Sequence, residues 1–155
     1  MFKRFLFLSI SSLLLVSCIS TKSTIKNIDN TAARLKVVED AYQITETADN
    51  AKYGLDEDFP VNIGFILEAN ESKFASYYFN ALAGPNGEKL SYRKVDTCCP
   101  FPTKNTKVGA GTLSIYEVTW EGQSKPVRMY FNFFERGKIM CPKGLSIKNK
   151  TTKTP

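Results

Sequence analysis

The spacing of apolar residues along the chain changes repeatedly, and each change predicts an element. Phe5 to Val16 is an apolar run broken only by serines, too short to cross a bilayer as a helix. Between Leu35 and Thr47 the pattern is ambiguous. Leu35, Val38 and Tyr42 fit a helix, but Val37-Val38 and Tyr42-Gln43-Ile44-Thr45 favour extended chain, and the segment reads as strand. Asn50, Gly54 and Pro60 punctuate a loop around the acidic run Asp56-Glu57-Asp58, and Val61 to Leu67 predicts a strand with Gly64 as a bulge. The clearest element follows. Asn70 is placed to cap a helix beginning at Glu71, and Phe74, Tyr77, Tyr78, Ala81 and Leu82 share one helical face. Gly84-Pro85-Asn86-Gly87 then forms a turn.

Beyond that turn the period becomes two. Lys89 to Thr97 predicts a strand, and a loop holding Pro100, Pro102, Gly109 and Gly111 follows it. Leu113 to Trp120 and Val127 to Phe134 predict a hairpin with Val127, Met129, Phe131 and Phe133 on one face. A last short strand starts near Ile139. The fold class is therefore α+β: a small antiparallel sheet with one main amphipathic helix packed on it. Phe74, Tyr78, Leu82, Tyr116, Val118, Trp120, Met129 and Phe131 are its expected core. No internal repeat is present.

Lys3 and Arg4 precede the first apolar run, and Leu15-Val16-Ser17-Cys18 ends it. This arrangement resembles the lipobox of bacterial lipoprotein signal peptides. The resemblance implies cleavage before Cys18, palmitate-type acyl chains on its sulfur and amino group, and membrane lipid as a partner. Two or more chains hold a protein stably on a bilayer, whereas one chain does so marginally. Ile19 and Ser20 follow instead of an aspartate, which implies the outer membrane. The absence of an acidic cluster there implies that the domain faces the periplasm rather than the cell surface. The chain then divides into a signal peptide (1–17), a lipidated tether (18–31), one α+β domain (32–147) and a basic, flexible tail (148–155).

Charge sharpens this picture a little. The 155 residues hold 21 basic and 15 acidic side chains and no histidine. Lys3 and Arg4 lie in the signal, so 19 basic against 15 acidic residues leave a mature formal charge of +4. Acids dominate from Asp29 to Glu71 and bases dominate after Lys73. The tail from Lys148 to Pro155 reads as solvated, with anionic headgroups or glycan as the functional alternative. Nucleic acid is an improbable partner, because the compartment is wrong and the aromatics lie in apolar patterns. Without histidine, Ser–His and Cys–His nucleophile pairs are excluded. Asp56, Glu57, Asp58, Glu117 and Glu121 remain as carboxylates, but none forms a pair at a diagnostic spacing. Gly109-Ala110-Gly111 does not lead a strand into a helix as a phosphate loop must. No catalytic residue and no cofactor is indicated.

Three cysteines besides Cys18 carry the remaining chemistry: adjacent Cys98 and Cys99, and Cys141. An oxidising compartment permits disulfides. A bond from one of the pair to Cys141 would close a loop of roughly 40 residues, contributing about 4 kcal/mol in the chain-entropy model. A vicinal Cys98–Cys99 bond, simple burial, zinc or Cu(I) binding by three thiolates, and redox catalysis are the alternatives. If strand geometry persists to Cys99, one of the two thiols faces the core and the other faces solvent.

Phe79-Asn80-Ala81-Leu82-Ala83-Gly84-Pro85-Asn86-Gly87, Cys98-Cys99-Pro100-Phe101 and Tyr116-Glu117-Val118-Thr119-Trp120-Glu121-Gly122 resemble a family of short lipoproteins of Bacteroidota-type bacteria, from about Tyr53 to Gly144. That family brings no catalytic residues with it. Similar sequences tend to lack a cysteine at the position of Cys141, which implies a role for the Cys98–Cys99 pair itself. Members often carry the name 2-dehydro-3-deoxyphosphooctonate aldolase, which would imply a TIM barrel of about 250 residues. Three readings follow: a non-enzymatic, envelope-anchored binding module with an envelope protein or glycan partner; a thiol- or metal-handling protein using Cys98, Cys99 and Cys141; and an enzyme of lipopolysaccharide-sugar (Kdo) synthesis.

Overall fold

The computed structural model describes residues 23–148, so the signal sequence, Cys18 and all of the basic tail except Lys148 lie outside the described residues. Its elements in chain order are β1 (Val37–Val38), β2 (Ala41–Tyr42), β3 (Val61–Asn62), α1 (Glu71–Asn80), β4 (Leu82–Ala83), β5 (Ser91–Pro102), β6 (Ala110–Thr119), β7 (Val127–Asn132) and β8 (Ser146–Ile147). The main sheet runs β3-β7-β6-β5, while β1-β2 and β4-β8 form two-stranded ribbons. This is a mixed α and β fold dominated by strands, with one main helix. The expectation of a purely antiparallel sheet is corrected at one edge, where β3 pairs with β7 in parallel. The described residues hold this four-stranded sheet rather than the eight parallel strands of a TIM barrel.

One face of the sheet carries the main core. Tyr116 and Val118 of β6 and Met129 and Phe131 of β7 are buried there with Tyr78 and Phe79 of α1. Phe131 meets the Tyr78 ring edge-on at 5.3 Å, and Phe79 stacks on Tyr92 at 4.2 Å, both within the range of favourable aromatic pairs. The helix is rotated from the expected face. Ala75, Tyr78 and Phe79 are its buried residues, and Phe74 and Tyr77 are only half-buried. The turn of α1 ends at Asn80, so Leu82 is buried as part of β4. Asn70 occupies the cap position, but its side chain makes no capping bond.

Other segments also differ from their patterns. Residues 35–47 form a minimal hairpin, with Glu39 and Asp40 at φ 52° and 56° turning β1 into β2. Val61–Leu67 yields only a two-residue strand, because Gly64 turns the chain at φ 109°. The expected strand at Ile139 is a single bridge between Thr47 and Cys141, and the last strand is β8.

The opposite face of the sheet holds a second cluster. Leu113 of β6 alternates with Ser114 and so points away from α1. It is buried with Phe101 and Ile25, and Ile28, Cys98, Cys99, Tyr130 and Phe134 pack around them. The segment read as a tether is therefore docked from Ile25 onward. Lys26 N donates to Asp58 O at 2.8 Å and Asp29 N to Arg136 O at 2.7 Å. Asn27 Nδ2 donates to Pro60 O at 2.8 Å. The domain thus begins at about Ile25 rather than residue 32.

Candidate functional site

The site arises from an irregularity in the edge strand β5. Cys98 lies opposite Leu113 and Phe101 opposite Gly111, so two residues of β5, Cys99 and Pro100, face the single residue Thr112. This is a bulge. Pro100 has no N–H to donate, and an edge strand interrupted by a bulge accommodates that loss. Cys99 takes the left-handed conformation at φ 57°, which is uncommon for a residue with a Cβ. The reversal cancels the strand alternation that would send neighbouring side chains apart. Cys98 and Cys99 are joined to each other by a disulfide.

Two expectations are corrected by this geometry. Neither Cys98 nor Cys99 pairs with Cys141, and the pair is not split between core and solvent. Both are half-buried against the second cluster. Cys141 is a free thiol, fully buried in the main core, and burial pushes it up to about 11 while a hydrogen bond with Thr47 pulls the other way. It is an inert core residue rather than part of a three-thiolate site.

The acidic loop between β2 and β3 supplies the third group. Its three carboxylates have three separate partners. Asp56 accepts from Lys52 Nζ at 2.9 Å and from its own loop at Asp58 N, 3.0 Å. The Lys52 hydrogen bond, followed by that from Asp58 N, holds the Asp56 carboxyl below its usual range. Asp58 pairs with Lys26 of the docked N-terminal segment at 2.9 Å. Glu57, between them, is exposed and reaches the disulfide: its Oε2 lies 2.9 Å from Cys99 Sγ. A carboxylate oxygen of Glu57 and the two sulfurs all lie within 4.8 Å of one another. Gly54 fixes where this loop leaves the sheet. It has φ 73°, its N–H donates to Phe59 O at 2.7 Å, and its carbonyl accepts from Tyr130 N at 2.9 Å.

Chemically, the arrangement offers a half-buried disulfide with a carboxylate held against one of its sulfurs. The sequence flagged all three residues but not their meeting, since Glu57 and Cys99 are 42 positions apart and a carboxylate in an acidic run reads as solvated. The remaining carboxylate candidates stay outside the site. Glu117 pairs with Arg93 across β5 and β6, and Glu121 is exposed in the turn after β6. No family model, no curated protein and no solved structure matches this chain.

Proposed function

We propose that the protein is an envelope lipoprotein, attached through acylated Cys18 at the outer membrane and facing the periplasm, whose domain serves as a non-enzymatic binding module. The supporting observation is the docking of the N-terminal segment. Ile25 is seven residues beyond Cys18, so an extended arm spans at most about 25 Å. The arm then enters the domain through the buried Ile25 side chain and the bonds of Lys26, Asn27 and Asp29. A lipid on Cys18 would therefore hold the second-cluster face, with its disulfide, close to the bilayer. Cys18→Ala tests the anchoring. The variant should lose the acyl mass and leave the detergent phase; a variant that partitions like wild type at the same mature mass overturns it.

A second reading is favoured by one specific observation, the Cys98–Cys99 disulfide with Glu57 against it. In that reading the module handles thiols or metals, and its working residues are Cys98 and Cys99 without Cys141. Treatment of the folded protein with a dithiol reductant, followed by thiol counting, tests it. Two thiols should appear in addition to Cys141. A pair that stays oxidised until the protein unfolds overturns the reading.

A further inference from the structure

We propose that Cys98, Cys99 and Glu57 form a redox-gated site for one thiophilic divalent cation of the zinc or cadmium type, closed in the disulfide form and open after reduction. The inference rests on the thiol-handling reading and names its ligand.

The register of the β5 bulge is set by the backbone pairs Cys98↔Leu113 and Phe101↔Gly111 and by Pro100, none of which is made through the sulfur atoms. Reduction therefore leaves both sulfurs on the side of Glu57. Thiolates bound to a tetrahedral zinc at about 2.3 Å lie about 3.8 Å apart, and a carboxylate oxygen on the same ion lies about 3.6 Å from each sulfur. The three ligand atoms already sit within 4.8 Å of one another, so closing on an ion takes side-chain rotation and no movement of the strands. The position of Glu57 points the same way. A disulfide sulfur carries no hydrogen, so the 2.9 Å approach of its carboxylate to Cys99 Sγ is no hydrogen bond in the oxidised form. It becomes one when Cys99 is a thiol, and a ligand pair when Cys99 is a thiolate.

A dithiol reductant supplies two electrons: one of its sulfurs attacks a sulfur of the pair and releases the other as a thiol, and its second sulfur then attacks the first within the mixed disulfide and releases the remaining protein thiol. The reductant leaves as a disulfide, and its two protons end on Cys98 and Cys99. The cation then replaces those protons, forming two metal–sulfur bonds and one metal–oxygen bond to Glu57 while two protons pass to solvent. Two thiolates and one carboxylate leave the bound ion with a net charge of −1 and a fourth position open to water. Lys26 and Lys52, paired to Asp58 and Asp56 on either side of Glu57, cancel those two carboxylates, so the −1 belongs to the site alone.

Titration of the full-length protein in detergent with cadmium and with zinc tests the proposal, before and after dithiol reduction. The reduced protein should bind one ion per chain, show thiolate-to-cadmium charge-transfer absorption and release two protons; the oxidised protein should do none of these. Cys141→Ser should bind like wild type, Cys98→Ser with Cys99→Ser should not bind, and Glu57→Gln should weaken binding at least about tenfold. Equal binding before and after reduction overturns the gating, and unchanged affinity in Glu57→Gln overturns the three-ligand site. Thiol counting separates the two levels. A pair that cannot be reduced in the folded protein defeats the thiol-handling reading and this proposal together. A reduced, folded protein that binds no ion defeats the proposal alone.

Discussion

Asn132 donates its side-chain amide to the Asn62 side-chain oxygen at 2.8 Å, linking the paired ends of β7 and β3 in a fully buried contact. Asn62 passes the chain of bonds outward, its own amide donating to the Asn27 carbonyl at 3.0 Å and to the Asn27 side-chain oxygen at 2.9 Å. At the other end, Asn132 Oδ1 accepts from Phe134 N and Glu135 N. Buried amides are stabilising only when satisfied, and this network is satisfied at both ends. It fastens the N-terminal arm to the sheet. The arm at Asn27 is thus tied to the parallel edge of the sheet.

Asn62→Ala should consequently destabilise more than a surface substitution. It leaves the Asn132 amide and the Asn27 oxygens without their partners, at a cost of about 2–4 kcal/mol. Hydrogen exchange distinguishes this from general loosening. The Lys26 and Asp29 amides, which donate to Asp58 O and Arg136 O, should lose protection before the amides of β6 and β7. Uniform loss along the chain would contradict a local fastening of the arm by Asn62.

Leu82→Ala should cost about 2–5 kcal/mol, measured by urea or thermal unfolding. Leu82 is fully buried, paired opposite Ile147 in the β4–β8 ribbon, and lies in the main core. A loss below about 1 kcal/mol would mean that the ribbon collapses around the deletion.

Gly111→Ala probes the second cluster. A Cβ at that position would stand 2.7 Å from Phe134 Cδ2 and 3.1 Å from Phe101 Cζ, both in the packing behind the disulfide. Overpacking of this kind costs about 1–3 kcal/mol, and Phe134→Ala in the same chain should recover part of it by removing the ring that the Cβ meets first. An additive loss in the double variant would contradict the steric account.

The contrast between legible and illegible features follows from range. Period-two alternation over Leu113–Trp120 and Val127–Phe134 was sufficient for the hairpin, because one sheet face buries Tyr116, Val118, Met129 and Phe131 together. Helix existence was equally legible, but its exact face was not. Phe74 and Tyr77 are aromatic like Phe79, and the position of Tyr92 and Phe131 decides which ring is fully buried. Pro100 and Pro102 read as loop because proline breaks a ladder, yet β5 is an edge strand where that loss is tolerated. The site itself hid for another reason. Period-two reasoning sends Cys98 and Cys99 to opposite faces, and only the left-handed turn at Cys99 reverses it. The arm hid likewise: a run of Ser, Thr, Asn and Lys looks like a linker until Asn62, itself held by Asn132, bonds Asn27 within it.

The last prediction concerns the buried thiol. Burial raises Cys141 from 9.0 to about 11, so between those values the unfolded chain has lost a proton that the folded chain keeps. The unfolded state then binds fewer protons, and stability falls as pH rises from about 9 to about 11. Two units correspond to about 2–3 kcal/mol. Tyr42, Tyr53, Tyr78, Tyr92 and Tyr116, all raised chiefly by burial, add a decline that begins as the pH nears 10, so the share of Cys141 is read as the difference in slope between wild type and a Cys141 variant. Cys141→Ala should cost stability at pH 7 through its lost packing but should flatten the slope between pH 9 and 10, as measured by urea unfolding across that range. Alkylation supplies the kinetic counterpart in a Cys18→Ser background without reductant. The folded protein should label negligibly, the unfolded protein should label once, and rapid labelling of the folded form would contradict the burial of Cys141 or the bonding of Cys98 to Cys99.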